Sequence, residues 1–372
     1  MNSVFVECFA GLEDPRVERT KKHLLLDIIA LALCGVISGA QNWEEIEDFG
    51  NIHKKWFGSF LELPNGIPSH DTISRVFAAL NPREVQDCSL NWIKAVKRLI
   101  PETVIAIDGN GCKATSKKAL HVINAWSCAN SISLGQLKVA DKSNEITAVP
   151  ELLKLLFIKG AIVTLDAMGC QKEIVDQICE GEADYIITLK GNQGELHELV
   201  KDTFTMLDTD KKNNHLHPSV AKDEIDAAHG RIDQREIQVI ATKHLGNMID
   251  PRWQKLNSIA RVTHTSEING QVVTEQRFYI SSIVAEQALV MLRAIRSHWQ
   301  IESCLHWSLD VTFREDHSRI RDENAALNMS WLRKFALGLL KNELSFKRAS
   351  IRRKQLKVWA DHAYLVKILE QN

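Results

Sequence analysis

Three short apolar runs most constrain what this chain can fold into. They occupy residues 104–107, 161–165 and 185–189, and nearly every position in them is apolar. Runs of this length are typical of strands that helices cover on both faces of a sheet. Residues 145–157 and 169–180, which separate the runs, have the spacing of amphipathic helices. The alternation predicts an α/β fold with a mixed sheet.

Two further strands are predicted at 121–133 and 134–140, so the order is strand-strand-strand-helix-strand-helix-strand. A different pattern follows, in which β-branched or alternating segments lie on both sides of the hairpin signal Asn269-Gly270. These segments cover residues 235–241, 258–265 and 272–281. We interpret them as a β-rich insertion, after which the chain returns to helix at Ala285.

The first hundred residues predict helices. The apolar segment 24–37 reads as a buried helix, since it contains Asp27 and is shorter than the roughly 18–20 residues that a bilayer span needs. Two short helices follow the turn at 64–66, the first capped by Asp71 or Thr72 and the second opening at Pro82. The pair is compatible either with a helix-turn-helix DNA reader or with a plain helical bundle.

The length of 372 residues predicts two or three domains. Residues 1–100 form a helical N-terminal, DNA-binding domain in this interpretation, and the core is interrupted by the insertion. The remaining segments are 101–200 (first part of the α/β core), 201–285 (β-rich insertion), 286–330 (second part of the core, with a long helix) and 331–372 (basic helical C-terminal segment).

Charge is balanced overall but not locally. Lys and Arg number 46 and Asp and Glu 47, so the whole chain offers no argument for a nucleic-acid or membrane partner. Residues 331–372 carry ten bases and three acids, a net +7, whereas the first hundred carry eleven bases and thirteen acids, a net −2. The basic end is either a contact for a polyanion or a solvated helix face.

The cysteines and the N-terminal residues indicate in which cellular compartment the protein is expected. The eight cysteines include no Cys-x-x-Cys pair, which disfavours a zinc knuckle or a thioredoxin motif and is typical of free thiols in a reducing cytosol. The first residues lack a basic region and contain Glu7, so they make a poor signal peptide. We expect a cytoplasmic protein without a membrane partner.

Two aspartates share one sequence context. Asp108 and Asp166 each follow an apolar run directly, and each has a glycine within the next three residues. If their strands are parallel neighbours, the carboxylates converge at the end of the sheet where α/β proteins place their sites. Converging carboxylates repel unless a cation such as Mg²⁺ lies between them. The alternative is that each Asp only caps the turn that follows it.

A third acid is sought on the helix predicted at 289–309. With about 100° per residue, Glu302 falls in the apolar stripe of Ile295, Trp299, His306 and Leu309. A buried carboxylate needs a partner, which can be a metal ion shared with the two aspartates or a nearby Arg293 or Arg296. The i, i+4, i+8 spacing of His298, Glu302 and His306 leaves a zinc site as a rival.

Several motifs in order resemble those of bacterial insertion-sequence transposases of the DDE superfamily, in the H-repeat-associated (ISAs-type) branch. The resemblance covers nearly the whole chain, including PSHDTISRVF in the helical first ninety residues. The main motifs are VIAIDGN, VTLDAMGCQ, YIITLKGNQ, HGRIDQR and RSHWQIESCLHWSLDVTFREDHSRIR. A neighbouring branch has Tyr, Arg and Lys around its third acid, where this chain has Ile295, His298 and Leu309.

The resemblance implies a ribonuclease-H-like catalytic core in which Asp108, Asp166 and Glu302 are the catalytic acids. It also implies that they bind Mg²⁺, with Mn²⁺ as a substitute, as a pair of ions about 3.5–4 Å apart. Such a site cleaves DNA and then joins strands when a 3′-hydroxyl replaces water. The family further implies double-stranded DNA as substrate and a homodimer in the DNA complex.

DNA also has to be held, and phosphate contacts supply affinity without reading sequence. The predicted contacts are Lys190, Asn192, His229, Arg231, His298, Arg314, Arg319 and Arg321. The sequence thus predicts a DNA transposase. A nuclease of the same fold that does not transpose, and a catalytically silent DNA-binding remnant, are the alternatives.

Overall fold

The computed structural model describes residues 3–96, 104–112, 120–139, 145–209, 216–228 and 231–370. Ten strands of these residues form one mixed sheet with helices on both faces, so the predicted α/β class is confirmed. The strands are β1 (Val104–Cys112), β2 (Leu120–Ser127), β3 (Ile132–Val139), β4 (Ile162–Leu165), β5 (Asp184–Leu189), β6 (Ser219–Lys222), β7 (Asp226–Ala228), β8 (Arg231–Ala241), β9 (Ser258–Ile268) and β10 (Gln271–Ser281).

The first five strands form the ribonuclease-H-like part of the sheet, in the order β3-β2-β1-β4-β5. Strand β1 pairs in parallel with β4, and β4 pairs in parallel with β5. Strand β2 is antiparallel to both of its neighbours, so it alone of the five runs in the opposite direction. This mixed core is the fold that the sequence predicts.

The register of β1 and β4 brings the two aspartates side by side. Their parallel pairing ends with Ile107 opposite Leu165, so Asp108 and Asp166 are the next residues on neighbouring strands. Strand β1 does not stop before Asp108, as the apolar run suggests, because residues 108–112 remain paired with β2. The two strands are therefore parallel neighbours, which is the condition under which the Asp108 and Asp166 carboxylates converge.

The predicted β-rich insertion is present, but it extends the core sheet instead of forming a separate layer. Strand β10 pairs antiparallel with β5 and carries β9, β8 and β6 beyond it, while β7 pairs with β8. The turn between β9 and β10 is the predicted Asn269-Gly270 pair, at φ 51° and 77°. Both values suit the tight turn of a hairpin.

Helices cover both faces of the sheet. They are α1 (Ser3–Phe9), α2 (Leu25–Ile37), α3 (Trp43–Ile52), α4 (Lys54–Phe57), α5 (His70–Ala79), α6 (Pro82–Val96), α7 (Glu145–Leu155), α8 (Lys172–Glu180), α9 (Gly194–Thr209), α10 (Ala288–Gln300), α11 (Glu323–Asn342), α12 (Ile351–Ala360) and α13 (His362–Glu370). One core cluster joins one sheet face to α7, α8 and α9, and another joins the opposite face to α10.

Both ends of the chain contribute to a single helical unit. Residues of α2, α3, α5 and α6 share one hydrophobic core with α11, α12 and α13. The rings of Trp92 in α6 and Phe335 in α11 lie 5.4 Å apart. The predicted boundary at residue 331 falls inside α11, so the N-terminal helices and the basic segment pack together although they are far apart in sequence.

The helix pair with helix-turn-helix spacing belongs to this unit. Helix α5 buries Ile73, Val76 and Phe77, and Nδ2 of Asn328 in α11 donates a 2.7 Å hydrogen bond to the Phe77 carbonyl. Packing of this kind favours the helical-bundle interpretation. The cap of α5 is Ser69, whose hydroxyl accepts from the Thr72 N–H, because the helix begins earlier than the sequence suggests.

The apolar segment 24–37 is confirmed as a buried helix. Its Asp27 is buried in α2 and accepts a 2.9 Å hydrogen bond from the Leu63 backbone N–H, which satisfies the carboxylate inside the core. No helix among the described residues has both the length and the apolar character to cross a bilayer.

The helix predicted at 289–309 changes type in its middle. It is regular as far as Gln300 and continues as π-helical turns over Ile301–His306 and Ser308–Thr312. We call residues 301–312 the π segment. Because a π turn holds more residues than an α turn, it rotates the later side chains around the axis. The 100° periodicity used for Glu302 therefore fails at this point.

Candidate active site

A cavity of about 180 Å³ lies beside Asp108 in the middle of β1 and past the ends of β4 and β5, against α10 and the π segment. Asp108, Asp166 and Glu302, the three predicted acids, all line it. Lys190, which follows β5, and His298 of α10 line it as well. The structure thus brings together five residues that are far apart in the sequence and that were predicted for catalysis or DNA binding.

Asp108 is the most perturbed acid of the cavity. Burial raises its pKa to about 7, and the neighbouring Asp166, Glu302 and Glu145 carboxylates raise it as well. The opposing contribution is a 2.9 Å hydrogen bond that its Oδ1 accepts from the Gly109 N–H. A bound cation would offset the repulsion between these carboxylates and favour the ionised form of Asp108.

Asp166 fulfils the capping alternative and still lines the cavity. Its Oδ1 accepts hydrogen bonds from the backbone N–H groups of Met168 at 3.0 Å and Gly169 at 3.4 Å. The two interpretations are therefore compatible, since capping uses one carboxylate oxygen. Within the described part of the chain, Oδ2 of Asp166 has no hydrogen-bond partner.

The glycines that follow the aspartates permit close packing. A Cβ on Gly109 would lie 2.5 Å from Oε1 of Glu145, and a Cβ on Gly169 would lie 2.8 Å from the Leu165 side chain. Either contact would displace a neighbour of an aspartate. The Asp-Gly and Asp-x-x-Gly patterns therefore reflect the crowding around the two carboxylates.

The predicted surroundings of Glu302 are wrong, although its place in the cavity is as expected. The π segment buries Ile301, Leu305 and Leu309, so Glu302 is exposed to the cavity and solvent instead of lying in the apolar stripe. The alternative of an ion pair with Arg293 or Arg296 is not formed among the described residues, and the Arg296 guanidinium binds Asp223 at 3.3 Å and Asp226 at 3.2 Å instead.

A zinc site on His298, Glu302 and His306 is not supported. Among the described residues, no three His, Cys, Asp or Glu side chains group closely enough to hold a metal ion. Nδ1 of His298 lies 2.9 Å from the Thr164 hydroxyl, whereas Nδ1 of His306 lies 3.7 Å from Oδ2 of Asp108. The two imidazoles are engaged with different strands.

The same finding applies to the three acids, which line one cavity but do not group closely enough here to bind one ion together. The chemistry of their side chains nevertheless fits a hard divalent cation. Their donors are carboxylate oxygens, which Mg²⁺ and Mn²⁺ prefer. Burial is the main cause of the raised pKa of Asp108, and repulsion from Asp166 and Glu302 adds to it. The carboxylates are the only acidic side chains that line this cavity among the described residues.

The surroundings of His298 disfavour the cationic form that the predicted phosphate contact requires. Burial lowers its pKa to about 4, against the opposing effect of Asp166, so the ring is neutral at neutral pH. Its hydrogen bond to Thr164 ties α10 to β4 beside Asp166. The structure therefore gives His298 a bracing contact at the cavity wall.

Sequence reasoning missed Arg277 and the use of Trp299. Both line the cavity, and the Arg277 guanidinium lies 4.8 Å from the centre of the Trp299 ring. Arg277 also donates a 2.9 Å hydrogen bond to Glu275. The pairing of β10 with β5 brings this arginine to the site. That pairing joins strands far apart in the sequence, so no local pattern predicts it.

The remaining predicted DNA contacts lie outside the cavity. Nδ2 of Asn192 donates a 2.7 Å hydrogen bond to the carbonyl of Ala167, so this residue holds the loop after Asp166. Arg231 lines a neighbouring hollow of about 390 Å³ and pairs with Asp233. Arg314 lines a separate groove, and Arg319 and Arg321 are exposed. His229 lies outside the described residues.

The basic C-terminal segment offers fewer free charges than its composition suggests. Arg333, Lys334 and Lys354 are buried. Nζ of Lys354 donates to the carbonyls of Leu340 and Glu343, and Nζ of Lys334 donates to Gln136. These three cations stabilise the helical unit and are not available to DNA.

The sequence matches two family models. The model described as "Transposase DDE domain" matches residues 99–339, which is more than half of the chain. The model described as "DDE_Tnp_1-associated" matches residues 6–93. The associated-domain match ends inside α6, and the DDE-domain match runs from before β1 into α11.

Curated relatives match over nearly the whole length. The chain is 40% identical to "H repeat-associated putative transposase YhhI" of Escherichia coli (strain K12), over 98% of this chain and 97% of that protein. It is 36% identical to "Putative transposase YncI" of Escherichia coli O157:H7, over 96% and 92% of the two chains.

One solved structure shows a weak overall likeness, the cryo-EM structure of a piggyBac transposase synaptic complex with hairpin DNA. Its TM-score is 0.43 at 10% identity, and the alignment covers 98% of this chain and 77% of that chain. This TM-score is too low to support a structural argument. The family relationship rests on the sequence matches.

Proposed function

This chain belongs to the DDE transposase family, and on that premise we propose that it cuts DNA at the ends of an insertion sequence and transfers the freed strands to a target. The observation that carries the proposal is the shared cavity of Asp108, Asp166 and Glu302. The three side chains come from β1, β4 and the π segment, and only the folded chain unites them.

In this proposal Asp108, Asp166 and Glu302 hold two divalent cations, which are Mg²⁺ or Mn²⁺. Bound there, the ions would activate the attacking oxygen and stabilise the leaving oxygen of a phosphodiester. The carboxylates have to be ionised to act as ligands. Because the pKa of Asp108 is raised to about 7, cation binding would displace a proton from this residue at or below neutral pH.

The side chains around the acids orient the substrate. Lys190 and Arg277 line the same cavity and supply the positive charge that attracts the phosphodiester. Stacking on Trp299 restricts the Arg277 guanidinium. Neutral His298, bonded to Thr164, keeps α10 in place against β4 without adding charge.

Double-stranded DNA at the element ends and at the target is the proposed substrate. Joining requires two ends to be held together, which a homodimer in the DNA complex would achieve. Because its proposed substrate is chromosomal DNA, the protein would act in the bacterial cytoplasm, at the nucleoid. Residues 1–100, 201–285 and 331–372 are proposed to surround the core segments 101–200 and 286–330 as DNA-binding parts.

The test uses a supercoiled plasmid that carries the DNA flanking the protein's own gene. The wild-type protein is compared with Asp166→Asn and with Asp202→Asn, a matched change at an exposed carboxylate of α9. We expect Mg²⁺-dependent cuts at discrete element ends with the wild type and Asp202→Asn, and none with Asp166→Asn.

Other outcomes identify the alternatives. Scattered cuts that Asp166→Asn abolishes would replace the transposase with a plain nuclease. Binding without cutting by all three proteins would indicate a silent remnant. Equal cutting by Asp166→Asn and the wild type would remove Asp166 from the site.

A further inference from the structure

A second and larger cavity lies on the other side of the π segment. It is a groove of about 720 Å³ between the π segment and the chain that connects α11 to α12. We propose that this groove binds a single strand of DNA as it leaves the active-site cavity. The inference rests on the proposed function in that it takes DNA as the substrate.

The groove is cationic throughout. Arg314, Lys341, Lys347 and Arg352 line it together with the buried Lys354, and no carboxylate is among its described lining residues. Across the described chain, none of the first four side chains has an ion-pair partner within 4.0 Å. Four free cations that converge without a counter-charge attract a polyanion.

The backbone fixes one of these cations in place. Arg314 has φ +50°, in the left-handed region that non-glycine residues rarely adopt. The next residue, Glu315, is buried, and its Oε1 lies 3.6 Å from the Arg333 guanidinium. At this turn Glu315 lies in the protein interior, whereas the preceding Arg314 lines the groove.

An aromatic surface distinguishes a single strand from a duplex. Trp307 is 57% exposed and Val311 is 55% exposed, and both line the groove. The indole of Trp307 has none of the close ring contacts that the described aromatic residues of the helical unit make with one another. A base can stack on such a ring only when it is not stacked inside a duplex.

The π segment separates the groove from the active-site cavity, and no described residue lines both. Glu302 lines the active-site cavity, and the next residue, Ser303, lines the groove. The start of α12 also contributes, through Ser350, Ile351 and Arg352. In the proposal, a strand that leaves the active-site cavity past Glu302 turns around the π segment to reach Trp307 and the cations around the start of α12.

The experiment measures binding of a labelled DNA single strand and of the corresponding blunt duplex, by fluorescence anisotropy in EDTA at several salt concentrations. The variants are Trp307→Leu and the double variant Lys347→Gln/Arg352→Gln. The matched control is Arg348→Gln, an exposed neighbour of Lys347 that does not line the groove. Circular dichroism and thermal melting establish that each variant is folded.

We expect the double variant to weaken single-strand binding and to lower the slope of log K against log salt by about 1.4, which is 0.7 for each lost phosphate contact. Trp307→Leu should weaken single-strand binding about tenfold and change duplex binding little. Arg348→Gln should change both by less than about twofold, since it makes no groove contact.

Three results would overturn the proposal. An equal loss in Arg348→Gln would mean that the effect is general charge and not the groove. An equal loss of duplex and single-strand binding in Trp307→Leu would mean that the groove holds a duplex. Unchanged binding in the groove variants of a protein that still cuts DNA would reject the groove alone, whereas a wild type that binds neither probe would reject the proposed function.

Discussion

The helical unit and the active-site cavity each contain a carboxylate that is shielded from solvent, and the pKa values of these two acids are shifted in opposite directions. In the helical unit, Glu343 is 2% exposed at its side chain and accepts hydrogen bonds from Ser345, Phe346 and Tyr364. Burial alone would raise its pKa, but these hydrogen bonds lower the pKa to about 2. In the active-site cavity, Asp108 accepts one hydrogen bond and faces other carboxylates, and its pKa is raised to about 7.

The difference separates a structural acid, Glu343, from Asp108, which we propose to be a functional one. Glu343 is surrounded by donors, so its charge stabilises the fold. Asp108 is buried beside other carboxylates and accepts one backbone hydrogen bond, so its charge destabilises the fold in the absence of a cation. Residues that are maintained at such a cost are candidates for a functional site. The comparison is open to test because the two acids should respond oppositely to neutralisation and to pH.

The largest expected effect is on activity. Asp108→Asn should reduce Mg²⁺-dependent cleavage at least about a thousandfold, because a ligand of the proposed ions is lost. In EDTA at pH 8 the same variant should melt at a higher temperature than the wild type, since a repelling charge is gone. Differential scanning calorimetry and a cleavage time course measure the two effects. A variant that loses both activity and stability would make Asp108 a structural residue like Glu343.

The next effect is on stability. Glu343→Gln should lower the free energy of unfolding by about 3 kcal/mol, because buried donors lose a charged acceptor. Urea unfolding followed by tryptophan fluorescence measures this, with Glu286→Gln as an exposed control that should change stability by less than about 0.5 kcal/mol. A loss no larger than that of the control would remove the contrast between the two regions.

The smallest effect is the dependence of stability on pH. The folded-state pKa of Asp108 is above its usual 3.8, so the protonated form favours folding and stability falls as pH rises from about 4 to about 7. The folded-state pKa of Glu343 is below its usual 4.5, so the stability it contributes is lost as pH falls from about 4.5 to about 2.

Urea titrations of the metal-free protein at a series of pH values resolve these windows. Asp108→Asn should flatten the slope between pH 4 and 7 by about 2 kcal/mol in total, a value reduced from the full shift because the cavity is open to solvent. Glu343→Gln should leave that window unchanged and flatten the acid limb. The reverse assignment of the two windows would contradict the electrostatic account.

The sequence predicts the parts of the site that depend on strand ends. The apolar runs locate β1, β4 and β5, and the residue after each run, Asp108, Asp166 or Lys190, lines the cavity. A strand segment that is buried on both faces stays apolar along its length, so the first polar residue after it marks the end of the buried segment. The sheet order is not encoded locally, and for that reason Arg277 on β10 was missed.

Helix phase and tertiary burial were harder to predict. The stripe that included Glu302 assumes a regular helix, whereas the π segment rotates the later residues. The charge count of residues 331–372 treats every base as exposed, whereas Lys334 and Lys354 lie in the core with backbone or side-chain acceptors. Both errors arise because composition and periodicity carry no information on what packs against a helix.

One acid outside the prediction gives the sharpest test of the site. Glu145 begins α7 and acts on Asp108 from the side opposite Glu302, in a small pocket that Asp108 and Asp166 also line. Either Glu302 or Glu145 can therefore complete a set of three carboxylates with the aspartates. The family resemblance favours Glu302, and the cavity with Lys190 and Arg277 contains Glu302 alone of the two.

The decisive measurement is Mg²⁺-dependent cleavage of element-end DNA by Glu302→Gln and Glu145→Gln, side by side with the wild type. We predict that Glu302→Gln loses at least about a thousandfold in rate, as expected for a lost metal ligand, and that Glu145→Gln stays within about tenfold. Loss of cleavage in Glu145→Gln with Glu302→Gln still active would contradict the assignment of Asp108, Asp166 and Glu302 as one site.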